Sequence, residues 1–166
     1  MADEATSNEP LANGADTQPT IGLITQYVKD LSFENPNSPA VYQWQDQPEI
    51  DVQFNIGTDK PGEDVFEVIL KVEVKAKTAQ GAAFAADLTY GGLFAVRNIS
   101  DEQLHPFLFA EAPRLLFPFA RRVLADAVRD GGFAPLVLDP IDFNGLYMQQ
   151  MQAQAAEQGE QPAGHA

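Results

Sequence analysis

The side chains able to make or break bonds are few in this chain of 166 residues. Only two histidines occur, His105 and His165, and the second is one residue from the C-terminus. A general base must sit within hydrogen-bond reach of the proton it takes, with its ring oriented for the task. His105 stands directly before Pro106 in an apolar stretch and reads as a packed or surface histidine rather than as a base. With no cysteine there is no thiol nucleophile, no thiolate metal site and no disulfide framework. The patterns of a serine nucleophile elbow, a phosphate-cradling glycine loop and a helix-borne zinc pair are all absent. Glu63 and Asp64 bring two carboxylates together without companions at Ca²⁺-loop spacing. Gly91-Gly92 follows a strand pattern but lacks the rest of a nucleotide fingerprint, so it reads as a strand bend. The expectation is a protein that is not an enzyme and holds no metal or cofactor.

What the chain does offer is apolar side chains in places where a lone domain has little use for them. The segment ENPNSPAVYQWQDQPE (residues 34–49) holds Val41, Tyr42 and Trp44 amid three prolines. A second segment, FAPLVLDPI (133–141), holds Phe133, Leu136, Val137, Leu138 and Ile141. Loops this apolar are either tucked into the core or form an exposed contact surface. Tucking accounts for any one of these residues; two such loops together suggest a shared groove that grips apolar chain.

The elements that must position these loops follow from periodicity. Four segments alternate in the manner of half-buried strands: residues 23–33, 49–56, 65–77 and 82–90. In the first, Leu23, Tyr27, Leu31 and Phe33 are expected on one face, with Gln26, Asp30, Ser32 and Glu34 on the other, where Ile24 and Val28 join them. The third is the clearest, with Phe66, Val68, Leu70, Val72, Val74 and Ala76 sharing a face. Thr78-Ala79-Gln80-Gly81 suits a hairpin between the third and fourth. No helix long enough for a parallel crossover intervenes, so the sheet should be antiparallel. Residues 101–129 then carry apolar residues at helical spacing. Pro106, Pro113 and Pro118 predict a short first piece and a longer helix starting near Pro113 and bent near Pro118. Its stripe is Leu116, Phe119, Val123 and Ala127, widened by Leu115, Leu124 and Val128. That width exceeds what one sheet face requires, which points to an oligomer interface or to a broad cover over its own sheet. Gly131-Gly132 supplies a stop, and Asp142 can cap a final helix bearing Phe143, Leu146, Tyr147 and Met151. Strands followed by helices give an α+β two-layer domain.

Charge narrows the partners. The net charge is −14, and every Lys and Arg lies between Lys29 and Arg129. Such a surface repels phosphate backbones and anionic lipid, so nucleic acid is not expected as a partner. It suits simple solubility or a cationic protein partner. The first thirty residues lack a basic start and an apolar stretch, and no apolar run approaches the roughly 20 residues of a membrane span. A cytoplasmic protein without direct membrane insertion is expected. Residues 1–20 and 152–166 are poor in large apolar residues and are expected to be disordered acidic arms around an ordered domain at 21–151.

Five blocks resemble the protein-export chaperone family SecB: YVKDLSFENPNSP (27–39), DVFEVILKVEV (64–74), FAADLTYGGLF (84–94), PRLLFPFAR (113–121) and PIDFNGLYM (140–148). They stand in the family's order across most of residues 21–151. The resemblance implies a homotetramer built as a dimer of dimers, with sheets joining within a dimer and long helices packing between dimers. It implies ATP-independent holding of unfolded preproteins and their delivery to the translocase ATPase SecA. Client-binding positions carried over are Tyr42 and Trp44, Phe133, Leu136 and Leu138, and Phe143 and Leu146. The acids that dock SecA map onto Asp30, Glu34 and Asp87. The fourth-strand acid is often Glu in the family, and a leucine often stands where Ala85 stands here; these two departures imply a shifted or weaker partner contact. The zinc of that contact belongs to SecA, and no zinc site is implied in this chain. Rival readings are a chaperone of the same fold dedicated to a toxin–antitoxin pair, a carrier of small apolar ligands, and an enzyme with an unfamiliar site.

Overall fold

A computed structural model describes residues 17–159. Most of the expected N-terminal arm and the last seven residues of the expected tail lie outside the described residues. Four strands form one sheet: β1 (Thr20–Glu34), β2 (Glu49–Gly62), β3 (Val65–Thr78) and β4 (Gly81–Arg97). Their order is β1-β4-β3-β2, with every neighbour antiparallel. The two hairpins close with two residues each. Asp64 adopts φ 57° in one, and Gly81, at φ 142°, opens the strand after the other. β1 and β2 are opposite edges, so residues 35–48 must cross the end of the sheet to join them.

One face of the sheet is the core. Val68, Leu70, Val72, Val74 and Ala76 of β3 and Phe84, Ala86, Leu88, Tyr90, Phe94 and Val96 of β4 are all buried. No polar or charged residue is buried with them among the described residues. The cover is helical: α1 (Asp101–Pro106), a π-turn at Phe107–Glu111, and α2 (Ala112–Asp130). These run on as one rod, where a break near Pro113 was expected. Proline lacks the N–H of a regular helix, and the wider π-turn, closed by Ala112 N–H to Phe107 O, lies just ahead of Pro113, which takes the opening turn of α2. The buried stripe of α2 is Leu116, Phe117, Ala120, Leu124 and Val128, while Leu115 and Phe119 point away from the sheet and are exposed. Phe119 therefore lies on the outward side of the helix and not in the buried stripe where it was expected.

Two further differences have local causes. β1 carries irregularities at Ile24 and at Lys29, each skipped in the pairing with β4. An extra residue inverts the alternation beyond it. Tyr27, opposite Gly91, therefore shares the outer face with Asp30 and Glu34, while Gln26, opposite Gly92, and Val28, opposite Tyr90, turn to the helix side, against expectation for all three. The last helix, α3 (Phe143–Gly159), runs eight residues beyond Met151, the expected boundary of the ordered domain. Gln, Ala and Glu dominate that extension; these are good helix formers, and its polarity reads as disorder only if burial is taken as the sole support for a helix. As expected, Asp142 caps α3, its Oδ1 accepting from Gly145 N–H at 3.0 Å. Gly131 and Gly132 end α2, with Gly132 at φ 86°.

Candidate functional site

The crossover and the helix-connecting segment meet beside the start of β4. Midway along the crossover a short 3₁₀ turn, Ala40–Gln43, buries Val41 beneath the loop and leaves Tyr42 half exposed. Phe133 lies across from it, its ring 5.7 Å from Tyr42 and 4.9 Å from Phe84, whose own ring stacks on Phe33 at 6.0 Å. A chain of four aromatic rings thus runs from the edge strand through the core to the surface. Beside its outer end lies an open groove of about 270 Å³, lined by Tyr42, Trp44, Phe133, Ala83 and Pro48, with Asp46 as its one charged wall residue. The loop is tied down by Asn37, whose Nδ2 donates to Ala82 O at 2.7 Å.

A second groove, of about 390 Å³, lies between the helix side of β2 and α3. Phe54, Ile56, Phe109, Phe143, Leu146 and Met151 supply its apolar wall, and His105 and Tyr147 close one side with a 2.8 Å hydrogen bond between Nδ1 and the phenol. His105 is exposed, with its ring tilted against that of Phe109 at 4.7 Å, so it is a surface histidine in ring contact, within the packed-or-surface expectation from sequence.

The expected client-binding residues therefore divide. Tyr42, Trp44 and Phe133 share the first groove, and Phe143 and Leu146 line the second. Leu136 and Leu138 are half-buried against the core between them, on a segment held by Arg121, whose Nη1 donates to Leu138 O at 3.3 Å. Phe143 is only 3% exposed and packs on Phe54 and Phe117, so it is a floor to the second groove more than a gripping surface. By alternation Ile50, Val52, Phe54 and Ile56 form the apolar set of the second strand, which makes Phe54 and Ile56 look like ordinary core positions. They line the groove because β2 is an edge that α2 does not cover, a property of topology that alternation alone does not carry.

The three acids fall together on the outer sheet face. Asp30 lies opposite Thr89, Glu34 opposite Ala85, and Asp87 between Ser32 and Glu73. All three are exposed and make no ion pair among the described residues. Glu73 is different: its carboxylate bonds Lys75 Nζ at 3.1 Å and holds that ammonium above its usual range. The acids without an ion pair thus gather toward β1, with Lys75 near enough to Asp87 to feel its charge. Further along the same face, Tyr27 donates to Glu67, which also accepts from Lys29 Nζ at 2.9 Å. Burial and then the Glu67 carboxylate push the Tyr27 phenol up to about 12, and the two donors hold Glu67 below the usual carboxylate range.

No cluster of His, Asp or Glu among the described residues could hold a metal ion, and no helix there is long and apolar enough to cross a membrane. The described residues thus form an α+β domain with open apolar grooves on one side and, on the other, acids that make no ion pair among those residues, an arrangement of surfaces and not of catalytic groups. The family model of the preprotein translocase subunit SecB matches residues 14–154. The chain is 62% identical to the protein-export protein SecB of Sphingopyxis alaskensis over 95% of this chain and 94% of that one. It is 59% identical to the protein of the same name from Rhizorhabdus wittichii over the full length of both. Its fold matches a SecB-like chaperone of Mycobacterium tuberculosis, solved in complex with an antitoxin peptide, with a TM-score of 0.60, 16% identity, and coverage of 73% of this chain and 90% of that one. The chain belongs to the SecB family of protein-export chaperones.

Proposed function

We propose that this chain is a holding chaperone that binds unfolded export precursors, without ATP, in the two apolar grooves and passes them to SecA. The observation that carries the reading is the pair of open grooves on a chain of this family. They present aromatic and aliphatic side chains at concave surfaces that are already formed. Unfolded chain offers apolar side chains and backbone, and a preformed apolar groove takes such a ligand without first paying to order itself. The solved relative with its antitoxin peptide supports peptide capture as a use of this fold. The protein-export names of relatives near 60% identity favour export over a toxin–antitoxin duty.

The same reading takes four copies as the working unit. Ile21, Leu23, Val28 and Leu31 on the helix side of β1, with Leu115 and Phe119 on α2, are large apolar residues left at 39–47% exposure. An edge strand with an open apolar flank is a liability that pairing with a second copy removes. Asp30, Glu34 and Asp87 serve as the SecA face. The test is to dilute a reduced, unfolded precursor into buffer with and without this protein and no nucleotide. The precursor is expected to stay soluble and protease-sensitive, bound to a particle of tetramer mass by light scattering. Aggregation at the rate of the protein-free control, or a monomer at micromolar concentration, would overturn the respective parts.

A further inference from the structure

The first groove has a hydrogen-bond network behind it that no apolar pattern announces. Asn35, the first residue after β1, directs its Nδ2 to two acceptors, Tyr42 Oη at 2.9 Å and Gly131 O at 3.1 Å. The Tyr42 hydroxyl donates to the same Gly131 carbonyl at 2.8 Å. Gly131 follows the last residue of α2, where carbonyls lose their intrahelical partners. Two residues of the crossover thus converge on one carbonyl of the helix-connecting segment, and these two segments are the walls of the groove. The glycines are required for the approach. A Cβ on Gly132 would lie 2.9 Å from Tyr42 Cε1, and one on Gly131 would collide with the Phe33 ring.

We infer that Asn35 is a positioning residue for client binding: with Tyr42 it forms a latch on Gly131 O that holds the two groove walls at their spacing. The inference rests on the first groove being a client site, as proposed above. The geometry fixes the amide's orientation, because a flipped Asn35 would set its oxygen against the Gly131 carbonyl. In that orientation Oδ1 is buried and accepts no hydrogen bond among the described residues. A buried acceptor without a partner is a cost to stability. A side chain selected for stability alone has no reason to carry it, whereas one that must hold Tyr42 and Gly131 together does. Tyr42 is half exposed, so its contacts with Phe133 and Gly132 leave part of the ring open to solvent, and these bonds add to its fixed position. Fixing a wall in advance lowers the ordering cost of each capture and slows release.

Trp44 is the only tryptophan, and it lines this groove, so its fluorescence reads the latch directly. The experiment compares wild type, Asn35→Ala, Tyr42→Phe and the double variant in the full chain. It measures acrylamide quenching of Trp44 without client, the release rate of a tryptophan-free, reduced unfolded client, and the urea midpoint. Tyr42→Phe removes one exposed oxygen and keeps the ring, so it stays folded if Asn35→Ala does not. Each single change is expected to raise quenching and to speed release about three- to tenfold, the range of one or two net hydrogen bonds. The double variant should be no faster than the worse single one, because the latch acts as a unit. Unchanged quenching in the folded variants would overturn the latch. A lowered urea midpoint with unchanged release would reduce Asn35 to a structural residue and overturn its positioning role. A client that binds wild type without altering Trp44 emission would instead remove the groove reading on which the inference stands.

Discussion

Gly91 and Gly92 sit back to back in β4, one on each face of the sheet. A Cβ on Gly92 would lie 2.8 Å from Leu116 Cδ2 and 3.0 Å from Phe94 Cε2, so the gap lets α2 close onto the sheet. A Cβ on Gly91 would lie 2.7 Å from Tyr27 Cε2, so the outer gap is a seat for a ring that reaches across β4 to Glu67 on β3. Gly92→Ala is expected to cost about 1–3 kcal/mol in urea unfolding, because Leu116 is fully buried and has nowhere to move. The Tyr27–Glu67 contact predicts pH dependence on both sides of neutrality. Tyr27 is raised from 10.0 to about 12, so from pH 10 upward the unfolded chain loses a proton that the folded one keeps, and stability falls through that window. Glu67 is lowered, so its contribution is present above its ordinary value near 4.5 and is lost as pH falls through the folded one. Tyr27→Phe should flatten the alkaline loss measured by urea unfolding at pH 8 to 12. Part should persist, since burial also raises Tyr90. The sequence marks Gly91-Gly92 as a place where a strand does something unusual. It does not say that two different side chains occupy the two sides.

At the scale of elements, alternation located all four strands and the helical cover, because each period reports a face buried against a neighbour. The strands run past the predicted ends wherever pairing outlasts the apolar pattern, as at residues 57–62 of β2. β1 was harder to read. Its two bulges shift the period at Ile24 and Lys29, and a pattern read straight through them puts Tyr27 and Val28 on the wrong faces. The grooves were legible as apolar loops but not as separate spaces, since Phe54 and Ile56 on one edge strand and Met151 on α3 look like core until the topology is known. The end of α3 was missed because its support is intrinsic propensity rather than burial. Residues 152–159 are exposed throughout. Ending the chain after Met151 is therefore expected to leave the unfolding free energy from urea titration within about 0.5 kcal/mol of the full chain. The same truncation should remove helical signal in far-ultraviolet circular dichroism. An unchanged helical signal would place the end of α3 at the shorter boundary.

The whole molecule separates two surfaces by the thickness of a sheet. The apolar grooves lie on the helix side and at the sheet end, and acids without an ion pair among the described residues stand on the outer face toward β1. Reversing Asp30, Glu34 and Asp87 to Lys should therefore leave the core and client holding intact while weakening SecA binding. Wild-type binding should also weaken as salt rises, because exposed charges act through association rate and are screened over about 8 Å at physiological ionic strength. Equal SecA affinity for mutant and wild type at low and high salt would leave these acids a solubilising role only. The central claim, that the apolar grooves hold unfolded chain, is tested most directly by Trp44→Ala with Phe133→Ala in a refolding assay. Truncating used aromatic anchors costs roughly 1–4 kcal/mol each and not additively. The account predicts that the wild type suppresses aggregation of a slow-folding client without nucleotide. The double variant, matched to wild type in oligomer mass by light scattering, should lose most of that suppression. A double variant of unchanged mass that suppresses aggregation as well as wild type would contradict it.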